Sequence, residues 1–294
     1  MKERNFTCLS SFILKIIALV TMTIDHVGVV LEMNVGYNYA LAEVFRGIGR
    51  LALPLFCFMI CEGVIHTKRF GNYMLRLGIM ATLVMGAFII IEETPWFNGM
   101  SIRDMGNIFI DLLLGACCVY LLKRKEWYFK LLSLIPLGIS VLSFIAATTE
   151  FADGILIHWF PYFLRSQYHF YSVGMIILFY LAYVAKDIFL KQYSNNSGIP
   201  VDSLVGTNIE RYALNLFSVL ALVTTTLGYY MIGMLMDVRY VYWMVGMQNL
   251  AMISGAFILL YNGKRGYNAK WFQYGSYLYY PIHILIIYGI GMLL

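Results

Sequence analysis

The chain has 294 residues, of which 61% are apolar, 16% aromatic and 13% charged, with a formal net charge of +5. An ordinary soluble domain carries roughly a quarter charged residues, so this composition excludes a disordered chain and a water-soluble globule: too little polar surface exists to cover so much apolar material. The net positive charge does not point to nucleic acid, because the basic residues sit in short clusters between apolar runs, the pattern that orients a membrane protein.

A helix needs roughly 20 mostly apolar residues to cross the hydrocarbon layer. Nine such runs occur, at about 11–33, 44–66, 73–92, 106–122, 129–148, 168–190, 212–236, 239–260 and 271–293. Each is expected to be helical, since an isolated strand leaves its backbone groups unsatisfied in lipid. The expected architecture is therefore an all-α polytopic bundle of about nine transmembrane helices in one domain, residues 1–294. A tenth, shorter segment at 154–164, rich in Trp and Tyr, reads as re-entrant or interfacial. The first run contains Lys15, Asp25 and His26 and shows no small-x-small cleavage site, so it reads as a span rather than a cleaved leader.

Alternate loops test this count. Sixteen of the 21 Lys and Arg residues fall on the N-terminal side of the bundle, and only Arg46, Arg50, Arg103, Arg165 and Arg239 on the other. That asymmetry predicts a cytoplasmic N-terminus and a plasma (inner) membrane location. The longest hydrophilic stretch, about 191–211, is expected to be a cytoplasmic connector. The cysteines Cys8, Cys57, Cys61, Cys117 and Cys118 are odd in number and mostly lie within apolar runs, so they read as small buried side chains rather than a metal site.

Ionisable residues inside spans cost about 2.5–3.5 kcal/mol each on insertion scales, and are paired, bundle-facing and functional by default. Asp25, Arg46, Arg50, Glu62 and Asp111 are of this kind. Arg46 and Arg50, four residues apart, share a helix face, and one of them is the natural counter-ion of Asp25 or Asp111. His26 lies about 100° around the helix from Asp25, so the carboxylate does not orient that imidazole directly. Glu62, His66 and Arg69 recur at i, i+4 and i+7, predicting a polar stripe. With Arg76, Lys264 and Arg265 it suggests a basic vestibule suited to a phosphorylated ligand. His26 further along the same axis suits a proton acceptor. His283 follows Pro281, whose kink exposes carbonyls for it to satisfy.

Three stretches resemble the TraX family of integral membrane proteins. They are Leu14-Lys-Ile-Ile-Ala-Leu-Val-Thr-Met-Thr-Ile-Asp-His-Val-Gly28, then Arg46-Gly-Ile-Gly-Arg-Leu-Ala-Leu-Pro-Leu-Phe-Cys-Phe-Met-Ile-Cys-Glu-Gly-Val-Ile-His-Thr67 continuing to Tyr73-Met-Leu-Arg-Leu77, and Tyr261-Asn-Gly-Lys-Arg-Gly266 with Tyr279-Tyr-Pro-Ile-His283. The family is named for a conjugal-transfer protein that acetylates a pilin N-terminus, and looks distantly similar to the transmembrane acyltransferases. The resemblance implies acetyl transfer from cytosolic acetyl-CoA, without a metal, to an amine or hydroxyl of an acceptor. That acceptor is a peptide N-terminus, an envelope sugar or a small molecule. By the same resemblance His26 takes the catalytic role, and Asp25 with Arg46 or Arg50 is expected to hold the site's geometry and polarise the thioester carbonyl. Arg46, Glu62, Tyr261, Asn262, Lys264, Arg265, Tyr280 and His283 match the family's motifs, and with the basic His66, Arg69 and Arg76 of the vestibule they are expected to line the donor site. The chain departs from the family at Asp111, where relatives often carry a hydroxyl residue. A secondary transporter with an intramembrane charged pathway is the competing expectation.

Overall fold

The computed structural model describes residues 7–33, 39–92, 106–153, 157, 159–236 and 246–291. It is built of helices: α1 (Ser11–Met33), α2 (Tyr39–Gly49), α3 (Ala52–His66), α4 (Phe70–Glu92), α5 (Ile108–Leu122), α6 (Trp127–Leu132), α7 (Leu134–Asp153), α8 (His169–Ser197), α9 (Val201–Leu204), α10 (Asn208–Met236), α11 (Ser254–Leu259, entered through a 3₁₀ turn at Asn249–Ile253) and α12 (Lys270–Gly291). Among the described residues, six helical stretches are long and apolar enough to cross a membrane: Ser11–Glu32, Tyr39–His66, Phe70–Ile89, Trp127–Glu150, Tyr162–Ser197 and Asn208–Leu235. Ile108–Leu122 and Gly246–Leu259 are apolar but shorter. The run expected at 239–260 and the segment expected at 154–164 fall partly outside the described residues.

Two expected spans are broken, and proline explains both. In the second run the helix stops at Gly49 and restarts at Ala52. Pro54 has no N–H to offer the Arg50 carbonyl, and its ring collides with that carbonyl in a regular helix. The chain tightens instead, with Arg50 N donating to Gly47 O (3.2 Å) and Leu51 N to Ile48 O (3.2 Å). The same offset separates Pro136 from Leu132, where α6 gives way to α7 through Ser133. There the Cys118 thiol donates to the Ser133 carbonyl at 3.4 Å. The hydrophilic stretch expected at 191–211 is largely helical, since α8 runs on to Ser197 and ends at Gly198 in the left-handed region (φ 72°).

Helices α3 and α8 form the centre, α3 packing on α1, α5 and α8, and α8 on α5, α7 and α10. Phe58, Tyr171, Phe179 and Leu14 fill the space between them and are fully buried. One end of the bundle is fastened by the segment before α1. Cys8 N and Leu9 N both donate to Leu260 O (2.9 Å), Asn262 N to Leu9 O (2.8 Å), and Ser11 N to Lys264 O (2.9 Å). At the same end Lys123 Nζ donates to the Ile65 carbonyl at 2.8 Å. Toward the other end, Gly291 of α12 abuts Val30 of α1. Helix α12 packs on α1 and α4, and its Tyr280 ring meets Phe109 of α5 edge-on, with centroids 5.2 Å apart.

Candidate functional site

The break between α2 and α3 builds the charged centre. Asp25, buried on α1, accepts from Arg50 Nη2 at 2.6 Å and from Arg46 Nη1 at 3.1 Å through each of its oxygens. Arg46 also reaches Glu32 (3.5 Å), so two carboxylates face two guanidiniums and the group is neutral. Arg50, only 3% exposed, spends its remaining donors locally. Its Nε bonds the Arg46 carbonyl (3.1 Å) beside the helix break, and Nη1 approaches Gln248 Oε1 (3.4 Å). The expectation that one arginine serves Asp25 is exceeded, since both do. Neither serves Asp111.

Gly49 makes the approach possible. A Cβ there would stand 2.2 Å from Asp25 Cβ and 2.3 Å from its Oδ1, distances no structure tolerates. Gly49→Ala is therefore expected to push Asp25 off Arg50. The expected cost is about 1–3 kcal/mol of overpacking in addition to the disturbed ion pair, read as a lowered unfolding temperature in detergent.

His26, one residue on, points elsewhere, as its angular offset requires. Its Nδ1 lies 2.9 Å from His283 Nε2 of α12, and His283 Nδ1 lies 2.8 Å from the Tyr279 carbonyl. The Tyr279 ring stacks flat on His283, with centroids 4.9 Å apart and planes at 7°. The Tyr279 hydroxyl meets Thr23 Oγ1 at 2.5 Å. His26, Asp25 and Gly49 open onto a small cleft, walled also by Met22, Phe56, Ile108, Gln167, Tyr168 and Tyr280. The Tyr280 ring stands edge-on to His26 with centroids 6.2 Å apart. An imidazole in such a cleft, beside a fixed carboxylate and two guanidiniums, is equipped to move a proton to or from a bound molecule.

The second predicted group lies elsewhere. Glu62 accepts from the Tyr261 hydroxyl (3.1 Å) and from the Tyr183 hydroxyl, and Tyr261 in turn meets Ser11 Oγ at 2.9 Å. His66 approaches Glu62 at 3.5 Å while its ring is exposed. The expected stripe ends there: α3 stops at His66 because Thr67 is extended (ψ 135°), which takes Arg69 off the helix. Arg69, Arg76, Lys264 and Arg265 are all exposed. Asn262 is spent on the loop, its Oδ1 accepting from Lys264 N at 2.9 Å. None of these residues lines the His26 cleft. Ser11 and His26 are fifteen residues apart on one helix, a rise of roughly 22 Å, which separates the two groups.

Asp111 is fully buried and accepts from Gln167 N (2.6 Å), Tyr168 N (3.1 Å) and Ser172 Oγ (2.5 Å). It holds the corner that places Tyr168 and Gln167 in the cleft wall. Tyr168, Gln167 and Gln248 carry no sequence signal: each is an ordinary polar residue made relevant by a contact from a distant helix. His169 is buried against Ser143 (3.1 Å), whereas His158 lies outside the described residues. Among the described residues no three His, Cys, Asp or Glu side chains converge to hold a metal ion.

Residues 10–223 match the family described as TraX protein, well over half of the chain. The chain belongs to the TraX family. The match takes in Asp25, His26, Arg46, Arg50, Glu62 and Asp111, and stops before Gln248 and His283. This TraX-family chain is 26% identical over 164 residues to the "Probable fimbrial assembly protein FimC, serogroup H1" of Dichelobacter nodosus, covering 52% of the chain and 63% of that protein. It is 27% identical over 113 residues to the "Uncharacterized protein RP591" of Rickettsia prowazekii (strain Madrid E), covering 38% of each. The chain thus spans less than two thirds of the length of either relative. No solved structure matches it.

Proposed function

We propose that the chain is an integral inner-membrane acetyltransferase that moves an acetyl group from acetyl-CoA to an amine. The observation that carries the reading is His26: an imidazole open to a cleft on one side, held on the other by His283, next to an Asp25 carboxylate fixed by two arginines. Membership of TraX supports it, as does the family's resemblance to transmembrane acyltransferases. In this reading the chain crosses the membrane nine times, with its N-terminus in the cytoplasm, so the end bearing Lys264, Arg265, Arg69 and Arg76 faces cytosolic acetyl-CoA. Exposed guanidinium and ammonium groups bind phosphate by charge-assisted hydrogen bonds. Glu62 does not bind phosphate, since it is anionic and its oxygens are occupied by phenols; it ties the Tyr261 loop to α3 and so sets where Lys264 and Arg265 stand.

The thioester supplies an activated acyl carbon. At the cleft, His26 takes the proton of the attacking amine. The Asp25–Arg46–Arg50 group holds α1 against the α2–α3 break so that this imidazole keeps its place. The printed name of the Dichelobacter relative, a fimbrial assembly protein, supports a peptide amine over an envelope sugar or a small molecule as acceptor.

The test is binding. CoA at millimolar concentration should raise the unfolding temperature of the detergent-purified protein, because a ligand that binds only the folded state stabilises it. Lys264→Glu with Arg265→Glu should abolish most of that rise. A well-folded wild type with no rise contradicts the reading.

A further inference from the structure

We propose that His283 is a positioning residue that fixes the tautomer of His26 and leaves Nε2 as its one basic atom. The inference deepens the acetyl-transfer reading but stands on hydrogen-bond logic that needs no substrate. A carbonyl oxygen only accepts, so the 2.8 Å contact to Tyr279 O places the hydrogen of His283 on Nδ1. A neutral His283 then carries a lone pair on Nε2. That atom is 2.9 Å from His26 Nδ1, which must therefore hold the hydrogen and donate. With its hydrogen on Nδ1, a neutral His26 has a bare Nε2. Two neutral rings satisfy these two contacts with one hydrogen each.

His26 lines the cleft together with Tyr280 of α12. Its Nδ1 is taken by His283, so Nε2 is the ring nitrogen left to serve a molecule bound there. The relay is anchored at its far end too. Tyr279 stacks on His283, and its hydroxyl meets Thr23, three residues before His26 on α1. Thr23 itself donates to the Leu19 carbonyl at 2.8 Å. Helix α12 thus reads the tautomer of His26 from a point fixed on α1 itself.

The consequence is chemical. As the nitrogen of an amine attacks the acyl carbon of the thioester, its proton passes to His26 Nε2. The charge then on the ring is shared with His283 through the Nδ1 hydrogen bond. When the carbon–sulfur bond breaks, the same proton leaves Nε2 for the sulfur, giving a free thiol and an amide, and His26 returns to its starting tautomer. With the hydrogen on Nε2 instead, the cleft would face a donor and no base.

The test uses the full chain labelled with ¹³C,¹⁵N-histidine, whose ring shifts distinguish the two neutral tautomers; His26→Gln assigns the signal among the five histidines. In the wild type His26 is expected as the Nδ1–H form. His283→Phe keeps an aromatic ring beside Tyr279 but offers no acceptor, and should convert His26 to the Nε2–H form. His283→Asn, which offers an acceptor oxygen, should retain Nδ1–H. Acetyl transfer should fall about 100-fold in the Phe variant, at the lower end for a lost general base, and recover at least tenfold of this in the Asn variant. An Nε2–H His26 in the wild type overturns the proposal, with or without the variants, as does an unchanged Nδ1–H form in His283→Phe. Because the tautomer is read without acetyl-CoA, a correct tautomer with no transfer defeats the acetyltransferase reading and leaves the role of His283 standing.

Discussion

Arg50→Met should be the most destabilising single substitution in this bundle, lowering stability by about 3–5 kcal/mol, the range for stranding one partner of a buried ion pair. Three contacts go at once: the 2.6 Å bond to Asp25, the bond to the Arg46 carbonyl at the helix break, and the approach to Gln248. Arg46 remains, but at 3.1 Å and shared with Glu32. Arg50→Lys should fall between, because an ammonium cannot span Asp25 and the Arg46 carbonyl with one planar fork. The double variant Arg50→Met with Asp25→Asn should recover part of the loss, since it removes both charges, and that non-additivity is what a direct contact predicts. Thermal unfolding of wild type, the single variants Arg50→Met, Arg50→Lys and Asp25→Asn, and the double variant in one detergent measures all of this. A single Arg50→Met variant within about 0.5 kcal/mol of wild type, the scale of an ordinary surface substitution, would contradict the arrangement.

His26→Ala should leave the fold in place and remove the chemistry. The side chain is partly open to the cleft, and its side-chain partner is another imidazole, so its loss strands no charge. Removing a general base costs about 10²–10⁴-fold in rate. The initial rate of thiol release from acetyl-CoA should fall by that factor, while stabilisation by CoA is unchanged, because Lys264 and Arg265 stand at the other end of the bundle. The dissociation of the two readouts separates a chemical role from a structural one.

Much of this was legible in the residues. Apolar runs locate the helices because lipid demands internally satisfied backbone, and intramembrane charges mark the centre because lipid excludes them unpaired. The four-residue spacing of Arg46 and Arg50 predicts a shared face, and the offset of Asp25 from His26 predicts their different partners. The helix breaks at Arg50 and Ser133 were also written, in Pro54 and Pro136, but a hydropathy window averages over a single missing N–H. What spacing does not show is which distant residue arrives. Gln248 and Tyr168 lie far along the chain from Asp25, and nothing local distinguishes them from other polar residues. Asp111 looks like a counter-ion by type, and only the approach of the 166–168 corner makes it an acceptor for backbone N–H groups. Likewise Glu62 and Tyr261 share no sequence register with each other, and their bond closes a loop of about 200 residues.

An acetyl group that leaves its thioester at the His26 cleft yields two products, and both can be counted. Purified protein is incubated with acetyl-CoA and a primary amine such as a short peptide with a free N-terminus. Free thiol is followed by absorbance and acetylated peptide by mass spectrometry. Enzyme-dependent thiol is expected, matched mole for mole by acetyl-peptide plus acetate, with both lost in His26→Ala. A folded protein that CoA stabilises but that releases neither thiol nor acetyl product, or a His26→Ala variant that releases both at the wild-type rate, would contradict it.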